Sequence, residues 1–279
     1  MWLTSDVADP MWPTDVADPT FLADGADPTW PTPMTLSTVH GDDLARDLGL
    51  LGSPHTGDVR HHVALVGGGG KTTLMHAIGS ALVGPTILTC TTKMGADQHR
   101  GRPVLVAPSD DDVRAALREH GRVMVLSAVL GQKGVGITPG RADALFGLDA
   151  HVVAESDGSR RRPAKAPHWY EPVLASTVTM VICVIGADAL DRTIEDQCHR
   201  PLRVGAVLGC SPYDRLTPER AAELVTSPRG GRKDVPPDAS FVVCLTKVNA
   251  SVSPLAERFV AAVGDLGVTA HAVAHLDGS

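Results

Sequence analysis

Short apolar runs alternate with amphipathic stretches along most of this chain, and this alternation limits its fold more than any other feature. Continuous apolar strands separated by helices are typical of a parallel sheet covered on both faces. The sequence therefore predicts an α/β fold, with a mostly parallel sheet and helices on both faces. Strands are expected near residues 61–66, 86–90, 103–107, 122–127, 151–155, 178–185, 240–245 and 268–273, and helices at 72–83, 110–120, 217–226 and 254–264.

The first 33 residues have a different character, because a nine-residue unit recurs at 6–14, 15–23 and 24–32. Each unit contains proline and is too short to bury a core of its own. We expect residues 1–33 to be disordered, or to precede a true start at Met34. Residues 34–59 are then a lead-in, and residues 60–279 form one domain.

The charge balance argues against a nucleic-acid partner. The chain carries 25 basic and 32 acidic side chains, and six of the acidic ones are aspartates in residues 1–33. The remainder, with 25 basic and 26 acidic groups, is nearly neutral, so it offers no polyanion-binding surface. The longest apolar run, residues 178–187, is too short to span a bilayer, and no secretory signal is recognised. We expect a cytoplasmic protein without membrane partners.

A glycine-rich loop joins the first predicted strand of the domain to its first helix, in the stretch VALVGGGGKTT from Val63 to Thr73. It resembles the phosphate-binding pattern G-x-x-x-x-G-K-[ST], except that Leu65 stands at the first glycine position. The alternative is a simple strand-to-helix turn. The strand and helix on either side favour phosphate binding and a P-loop NTPase-like fold. The expected nucleotide ligands are Gly67, Gly68, Gly69, Gly70, Lys71, Thr72 and Thr73, with Thr72 also a ligand of Mg²⁺.

Two further predicted strands end in oxygen-bearing side chains. Glu155 and Asp157 follow the strand at 151–155, and Thr92 follows the strand at 86–90. Carboxyl ends of parallel strands meet at one edge of a sheet, where ligands of open α/β folds bind. Thr92 and Asp157, the latter directly or through water, are therefore predicted metal ligands, and Glu155 is expected to orient a water or a second hydrogen-bond partner in catalysis. The alternative is that these acids only cap a strand end.

A run of cations follows at once, from Ser159 to Lys165 (SRRRPAK). These side chains suit a phosphate-bearing cofactor, or the charge of a transferred phosphoryl group. The alternative is a solvated loop. Lys165 in this run and Arg200, which is distant in the sequence, are the cations predicted to act in catalysis together with Glu155 and Asp157.

The segment Thr246–Lys247–Val248–Asn249 follows a late strand, where GTP-binding proteins carry N-K-x-D. Lys247 and Asn249 are therefore predicted to contact the nucleotide. An asparagine amide does not provide the charged, two-oxygen acceptor that an aspartate offers to guanine. The sequence accordingly leaves ATP and GTP both open.

Taken together, these motifs resemble the YqeC family of selenium-dependent molybdenum hydroxylase accessory proteins. The resemblance runs from about residue 60 to the C-terminus, and a glycine loop without its first glycine is what this family shows. The segment 246–249 departs from the asparagine-lysine-x-aspartate pattern toward which the family tends. The remaining matching segments are the threonine-rich 89–93, ESDGS at 155–159, KAP at 165–167, His168, Glu171–Pro172, GADAL at 186–190 and His199–Arg200.

The resemblance implies a nucleotide-binding factor that helps to mature or load a molybdenum enzyme. Its partners would be a molybdenum hydroxylase or the proteins that make its cofactor, with a pterin nucleotide as a further ligand. A weak, Mg²⁺-dependent NTP hydrolase is the activity we expect. The alternatives are a pterin-cofactor chaperone that does not hydrolyse nucleotide, and a small-molecule kinase or nucleotidyl transferase.

Overall fold

The computed structural model describes residues 41–51 and 59–274 of the chain. The expectations for the repeat in residues 1–33 lie outside the described residues. Part of the predicted lead-in is described, and it forms helix α1 (Gly41–Asp47). Leu44 in this helix and Leu48 just after it are buried and pack in the same hydrophobic cluster as the helix that follows the glycine loop.

One eight-stranded sheet lies at the centre of the described residues. The described residues form thirteen strands, eight of which belong to this sheet: β1 (His62–Gly67), β2 (Thr86–Cys90), β3 (Lys93–Gly95), β4 (Val104–Val106), β5 (Arg122–Leu126), β6 (Ala128–Leu130), β7 (Lys133–Val135), β8 (His151–Glu155), β9 (Ala164–Lys165), β10 (Met180–Gly186), β11 (Cys198–His199), β12 (Ser240–Thr246) and β13 (Thr269–Ala272). The sheet order is β13-β12-β10-β1-β8-β2-β5-β4, and all neighbours pair in parallel. The eight predicted strands are the eight members of this sheet, so that prediction is confirmed.

Helices cover both faces of the sheet, as predicted. Alternate residues of β1 face opposite sides: Val63 and Leu65 pack with α1 and α2, and Ala64 and Val66 lie in the cluster of the opposite face. Side chains of α3, α4, α6, α7 and α8 join that second cluster. The helices after α1 are α2 (Lys71–Ala81), α3 (Asp110–His120), α4 (Pro139–Phe146), α5 (Ile194–Gln197), α6 (Pro201–Leu208), α7 (Pro218–Thr226) and α8 (Ser253–Asp265).

Helix caps explain why the predicted boundaries of α3 and α7 are accurate. Ser109 and Asp112 form a capping box at the start of α3, and the Thr217 hydroxyl accepts a hydrogen bond from the third residue of α7. Helices α4 and α6 were not predicted, although both begin with proline and α6 is followed by Gly209 in a left-handed conformation. Proline at the start and glycine after the end are the usual helix signals.

Two small sheets lie outside the main one, and neither was predicted. Strands β3, β7 and β6 form an antiparallel sheet, and β9 pairs with β11 in parallel. These strands have only two or three residues each, too few to show a hydrophobic period. The β9–β11 pair matters for the site because it brings Lys165 beside His199.

None of the helices in the described parts of the chain is long and apolar enough to cross a membrane.

The start of β1 carries a buried histidine that should link stability to pH. Burial lowers the pKa of His62 to about 4, with Asp143 opposing the shift, and its Nδ1 lies 2.7 Å from Thr177 Oγ1. As the pH falls below 6.5, the unfolded chain therefore takes up a proton that the folded protein excludes. The free energy of unfolding should fall between pH 6.5 and about pH 4, with at most about 3 kcal/mol from this group.

Urea unfolding at several pH values checks this prediction. The His62→Asn variant keeps a polar partner for Thr177 but has no imidazole, so its free energy of unfolding should fall less steeply below pH 6.5. His120→Asn, near the exposed end of α3, is the control and should keep the wild-type slope. Equal slopes for wild type and His62→Asn would show that this histidine does not control the dependence.

Candidate functional site

The glycine loop connects the end of β1 to the start of α2 at the carboxyl edge of the sheet. A Cβ atom at Gly69, which has a φ of +70°, would lie 2.2 Å from the backbone nitrogen of Gly186. A Cβ atom at Gly68 would lie 2.6 Å from the carbonyl oxygen of Arg162. The loop is therefore held between the segment at 162–163 and the end of β10, and only glycine fits these two positions.

The amides of this loop fall into two groups. Those at the start are used within the protein, so the loop does not open all its N–H groups to a ligand. The second group is the first amides of α2. This helix begins at Lys71, with Gly70 before it and no side-chain cap, so these amides lack intrahelical partners. An anion would therefore meet residues 70–73. The internal bonds run from Gly67 N to Asp157 Oδ2 (3.0 Å), from Gly68 N to Val184 O (2.8 Å) and from Gly69 N to Arg162 O (3.3 Å).

Lys71 is buried at the first position of α2, with 3% of its surface exposed. Its Nζ donates to Gly67 O at 2.6 Å and lies 3.2 Å from Asp157 Oδ1 and 3.7 Å from Glu155 Oε1. Desolvation lowers the pKa of this ammonium, but the two carboxylates outweigh it and raise the pKa above its ordinary value. Lys71 therefore remains a cation at the point where a phosphate would meet the helix.

Oxygen donors for a metal lie beside this lysine. Thr72 Oγ1 donates to Glu155 Oε2 at 2.8 Å. Thr92 follows β2, and this strand pairs with β8 so that Cys90 lies opposite Glu155. The hydroxyl of Thr92 is buried and has no hydrogen-bond partner among the described residues. Hydroxyl and carboxylate oxygens are the ligands that Mg²⁺ takes, usually with substrate phosphate and water completing the set. These residues fit the predicted metal.

Among the described residues there is no group of three or more His, Cys, Asp or Glu side chains that could hold a metal ion.

Asp157 occupies the centre of the site, with a side chain that is 2% exposed. Its Oδ2 lies 3.0 Å from Lys165 Nζ and accepts the hydrogen bond from the Gly67 amide, while its Oδ1 faces Lys71. Lys165 is as deeply buried, at 1% exposure of its side chain, and also donates to Gly158 O at 2.8 Å. The structure thus brings the predicted Asp157 and Lys165 together, but as internal ion partners.

Glu171 joins the two predicted catalytic cations, and sequence reasoning gave it no role in the site. Its carboxylate accepts hydrogen bonds from Lys165 at 2.7 Å and from both terminal nitrogens of Arg200, at 2.7 and 3.2 Å. Desolvation raises the pKa of Glu171, but Arg200 and Lys165 outweigh it and lower the pKa to about 2. A buried acid six residues after a buried lysine gives no periodic signal, so the sequence did not reveal this pairing.

The segment Thr246–Asn249 lies against the glycine loop. The Thr246 hydroxyl donates to Gly69 O, and Lys247 Nζ forms an ion pair of 2.7 Å with Asp188, which follows β10. Both members of that pair are about half exposed. Asn249 Oδ1 accepts hydrogen bonds from the amide (3.0 Å) and the hydroxyl (2.6 Å) of Ser251. The segment therefore borders the loop, and the Asn249 side-chain oxygen is already used by Ser251.

Comparison with known proteins gives the family. A model described as YqeC protein matches residues 63–202, from the start of β1 to the first turn of α6. This range includes the glycine loop, Asp157, Lys165, Glu171 and Arg200. The chain belongs to the YqeC family. The family predicted from the motifs is therefore confirmed.

One relative supports the same assignment. This YqeC-family chain is similar to a protein of Escherichia coli (strain K12) described as uncharacterized protein YqeC, with 28% identity over 207 residues. The alignment covers 72% of this chain and 78% of the relative. No solved structure matches the chain. Neither description names an activity, so function has to be argued from the site.

The ion pairs of Glu171 lead to a stability prediction. Glu171→Gln removes the charge that Lys165 and Arg200 share, and breaking a buried pair costs about 3 kcal/mol. The pKa of this carboxyl is lowered in the folded state, from 4.5 to about 2, so the charge stabilises the protein above pH 4.5. The loss caused by Glu171→Gln should therefore shrink as the pH falls from 4.5 toward 2.

Urea unfolding of Glu171→Gln and of a control variant, Glu219→Gln, measures the loss in the free energy of unfolding. Glu219→Gln removes the acid of the exposed Arg258 pair and should cost about 0.5 kcal/mol or less. Similar losses for Glu171→Gln and Glu219→Gln at neutral pH would contradict a buried role for Glu171.

Proposed function

We propose that this protein binds a nucleotide, ATP or GTP, with Mg²⁺, and acts in the maturation of a molybdenum- and selenium-dependent hydroxylase or of its cofactor. The observation that carries the nucleotide half is the buried, charged Lys71 at the uncapped start of α2. A cation and free helix amides at one point are the recognised means of holding phosphate.

The phosphate would be held by the amides at residues 70–73 and by Lys71 Nζ. In the present structure this ammonium is neutralised by Asp157 and Glu155. An incoming phosphate would compete for it, and Asp157 would keep Lys165 and the Gly67 amide as partners. Asp157 would therefore keep one cation when Lys71 turns to a phosphate, so this change would not leave an unpaired charge in the interior.

Thr72, Glu155 and Thr92 are the residues we propose for Mg²⁺. When bound, the metal would offset the negative charge of the nucleotide phosphates. The sequence favoured Asp157 over Glu155 as the metal ligand. The hydrogen bond between Thr72 and Glu155 instead supports Glu155 as the carboxylate closest to the metal, with Asp157 positioning Lys71.

The base is expected beside Lys247, because Thr246 ties that segment to the glycine loop. The side chain of Asn249 offers its amide N–H₂ group to a ligand while its oxygen is bound to Ser251. Because residue 249 is an asparagine, this position provides no carboxylate to accept hydrogen bonds from guanine. ATP and GTP therefore both stay within the proposal, and the binding experiment decides between them.

Turnover is proposed to be weak. The two cations predicted for catalysis, Lys165 and Arg200, are held by Asp157 and Glu171 and are not aimed at a reacting phosphate. A partner that completes the site would then raise the rate. The molybdenum half of the proposal rests on the motif resemblance, since the family's accessory role is what that resemblance implies.

Isothermal titration calorimetry of the full chain with ATP and with GTP, each with and without Mg²⁺, tests the nucleotide half. Lys71→Ala should lower affinity about tenfold or more, because a charge-assisted contact is lost. Glu155→Gln should retain nucleotide binding but reduce the gain in affinity that Mg²⁺ gives. The nucleotide with the higher affinity identifies the base.

Lys133→Ala is the control, because it removes an exposed lysine from the β6–β7 hairpin. It should bind nucleotide as the wild type does. Circular dichroism of each variant checks that the fold is retained. Failure of both nucleotides to bind the wild type, or equal affinities for wild type and a folded Lys71→Ala variant, would refute the proposed site.

A further inference from the structure

A group of cations next to the glycine loop has no role in the proposed nucleotide site. We call it the basic cluster, and it consists of the cations Arg160, Arg161, Arg162, Arg200 and Arg203 together with the uncharged His199 that lies among them. Outside residues 1–33 the chain has nearly equal numbers of basic and acidic side chains, so five arginines on one surface are a local excess of positive charge. Within the described residues, the acid paired with a member of the cluster is Glu171, which holds Arg200.

The three arginines at 160–162 are exposed, and within residues 41–51 and 59–274 their side chains have no ion pair or hydrogen bond. Arg160 and Arg161 both have left-handed backbones, with φ of 50° and 63°. Non-glycine residues rarely adopt this conformation, and adjacent guanidinium groups repel each other. A loop that keeps three free guanidinium groups under these costs is well suited to an anion.

This loop is fixed in place rather than hanging from the surface. Lys165 Nζ donates to Gly158 O at 2.8 Å where the loop begins. At the other end, Gly69 N donates to Arg162 O at 3.3 Å and Gly186 N donates to Pro163 O at 2.9 Å. The arginines are thus held beside the glycine loop by backbone contacts, as preorganised recognition requires.

The β9–β11 pair extends the cluster. His199 lies opposite Lys165 in this pair, and burial together with Arg200, Lys165 and Arg160 lowers the pKa of His199 to about 4, with Glu171 opposing. The ring therefore lies in a positive field. Arg203 Nε donates to Pro167 O at 2.8 Å, so the start of α6 joins the same surface.

Aromatic rings border this surface. Trp169 and Tyr170 are 73% and 52% exposed, and their centroids lie 5.2 Å apart in an edge-to-face arrangement. The His168 ring lies 4.2 Å from Tyr170, and its Nδ1 is buried without a hydrogen-bond partner among the described residues. Glu171, the residue after Tyr170, accepts hydrogen bonds from both terminal nitrogens of Arg200, which places the segment that carries the rings beside the cations. Such exposed rings offer faces on which a planar ligand can stack.

We propose that the basic cluster and the Trp169–Tyr170 rings form a second ligand site, separate from the glycine loop, for the phosphate ester of a planar heteroaromatic compound. Arg160 and Arg161 hold the phosphate, and Trp169 stacks on the ring. A nucleic acid would also supply phosphates and rings, but the near-neutral charge of the chain outside residues 1–33 favours a small ligand. The site goes beyond the proposed nucleotide site and does not require it.

Flavin mononucleotide is a suitable probe because it combines a phosphate with a planar ring, and riboflavin and inorganic phosphate supply the two parts separately. Binding to the full chain is followed by flavin fluorescence and calorimetry, with Mg-nucleotide present. Arg160→Gln/Arg161→Gln should weaken flavin mononucleotide about tenfold and weaken phosphate, but leave riboflavin unchanged. Trp169→Ala should weaken flavin mononucleotide and riboflavin, but not phosphate.

Matched controls are Arg114→Gln/Arg118→Gln on exposed positions of α3 and Tyr213→Ala at a ring that is 77% exposed. Neither should change binding. Inorganic phosphate should also raise the pKa of His199, followed by NMR, because a bound anion offsets the field of Arg160 and Arg200. This readout separates binding at the cluster from binding elsewhere.

The proposal fails if flavin mononucleotide is displaced by Mg-nucleotide or lost in Lys71→Ala, because it would then occupy the glycine loop. It also fails if the arginine or tryptophan variants bind the probe as the wild type does. Displacement of the probe by a uridine oligonucleotide of higher affinity would assign the surface to RNA instead. Absence of nucleotide binding with retained probe binding would refute the proposed function and leave this inference standing.

Discussion

The rest of the site depends on the ion pairs that the buried carboxylate of Asp157 forms with Lys71 and Lys165. A charge in the interior is costly unless cations and hydrogen-bond donors surround it. Asp157 meets this requirement with Lys71, Lys165 and the amide of Gly67. These contacts fix the end of β1, the start of α2 and the segment that carries Lys165 relative to one another. The glycine loop therefore owes its position to an ion cluster as well as to its own glycines.

The ion pairs around Asp157 also explain how the buried Lys71 could bind a phosphate. Charges alternate from Glu155 through Lys71, Asp157, Lys165 and Glu171 to Arg200, with each contact within 3.7 Å. If a phosphate takes Lys71, the next lysine still neutralises Asp157, so the fold does not depend on one fixed pairing. The same alternation restrains Lys165 and Arg200. The arginines at 160–162 are exposed and have no ion pair with any residue that the structure describes, so they are available to a ligand.

The sheet could be predicted from sequence because each of its eight strands is a buried apolar run bounded by helices, and the pattern of buried side chains has a period. The position of the glycine loop could be predicted because its glycines, lysine and threonines stand between an apolar strand and an amphipathic helix. Pairings between side chains could not be. Glu171 and Asp188 lie in segments without a period, and their partners Arg200 and Lys247 stand just after strands that are distant in the sequence. The cation run suggested that Lys165 was exposed to a ligand, whereas burial between two acids decided its contacts.

A crystal structure of the full chain with Mg²⁺ and a non-hydrolysable analogue of the nucleotide with the higher affinity would show where the phosphates bind. We expect phosphate oxygens within hydrogen-bond distance of the amides at 70–73 and of Lys71 Nζ, with the metal at Thr72 and Glu155. The contact between Asp157 and Lys165, now 3.0 Å, should persist. A nucleotide bound elsewhere, with Lys71 still 3.2 Å from Asp157, would refute the proposed phosphate site.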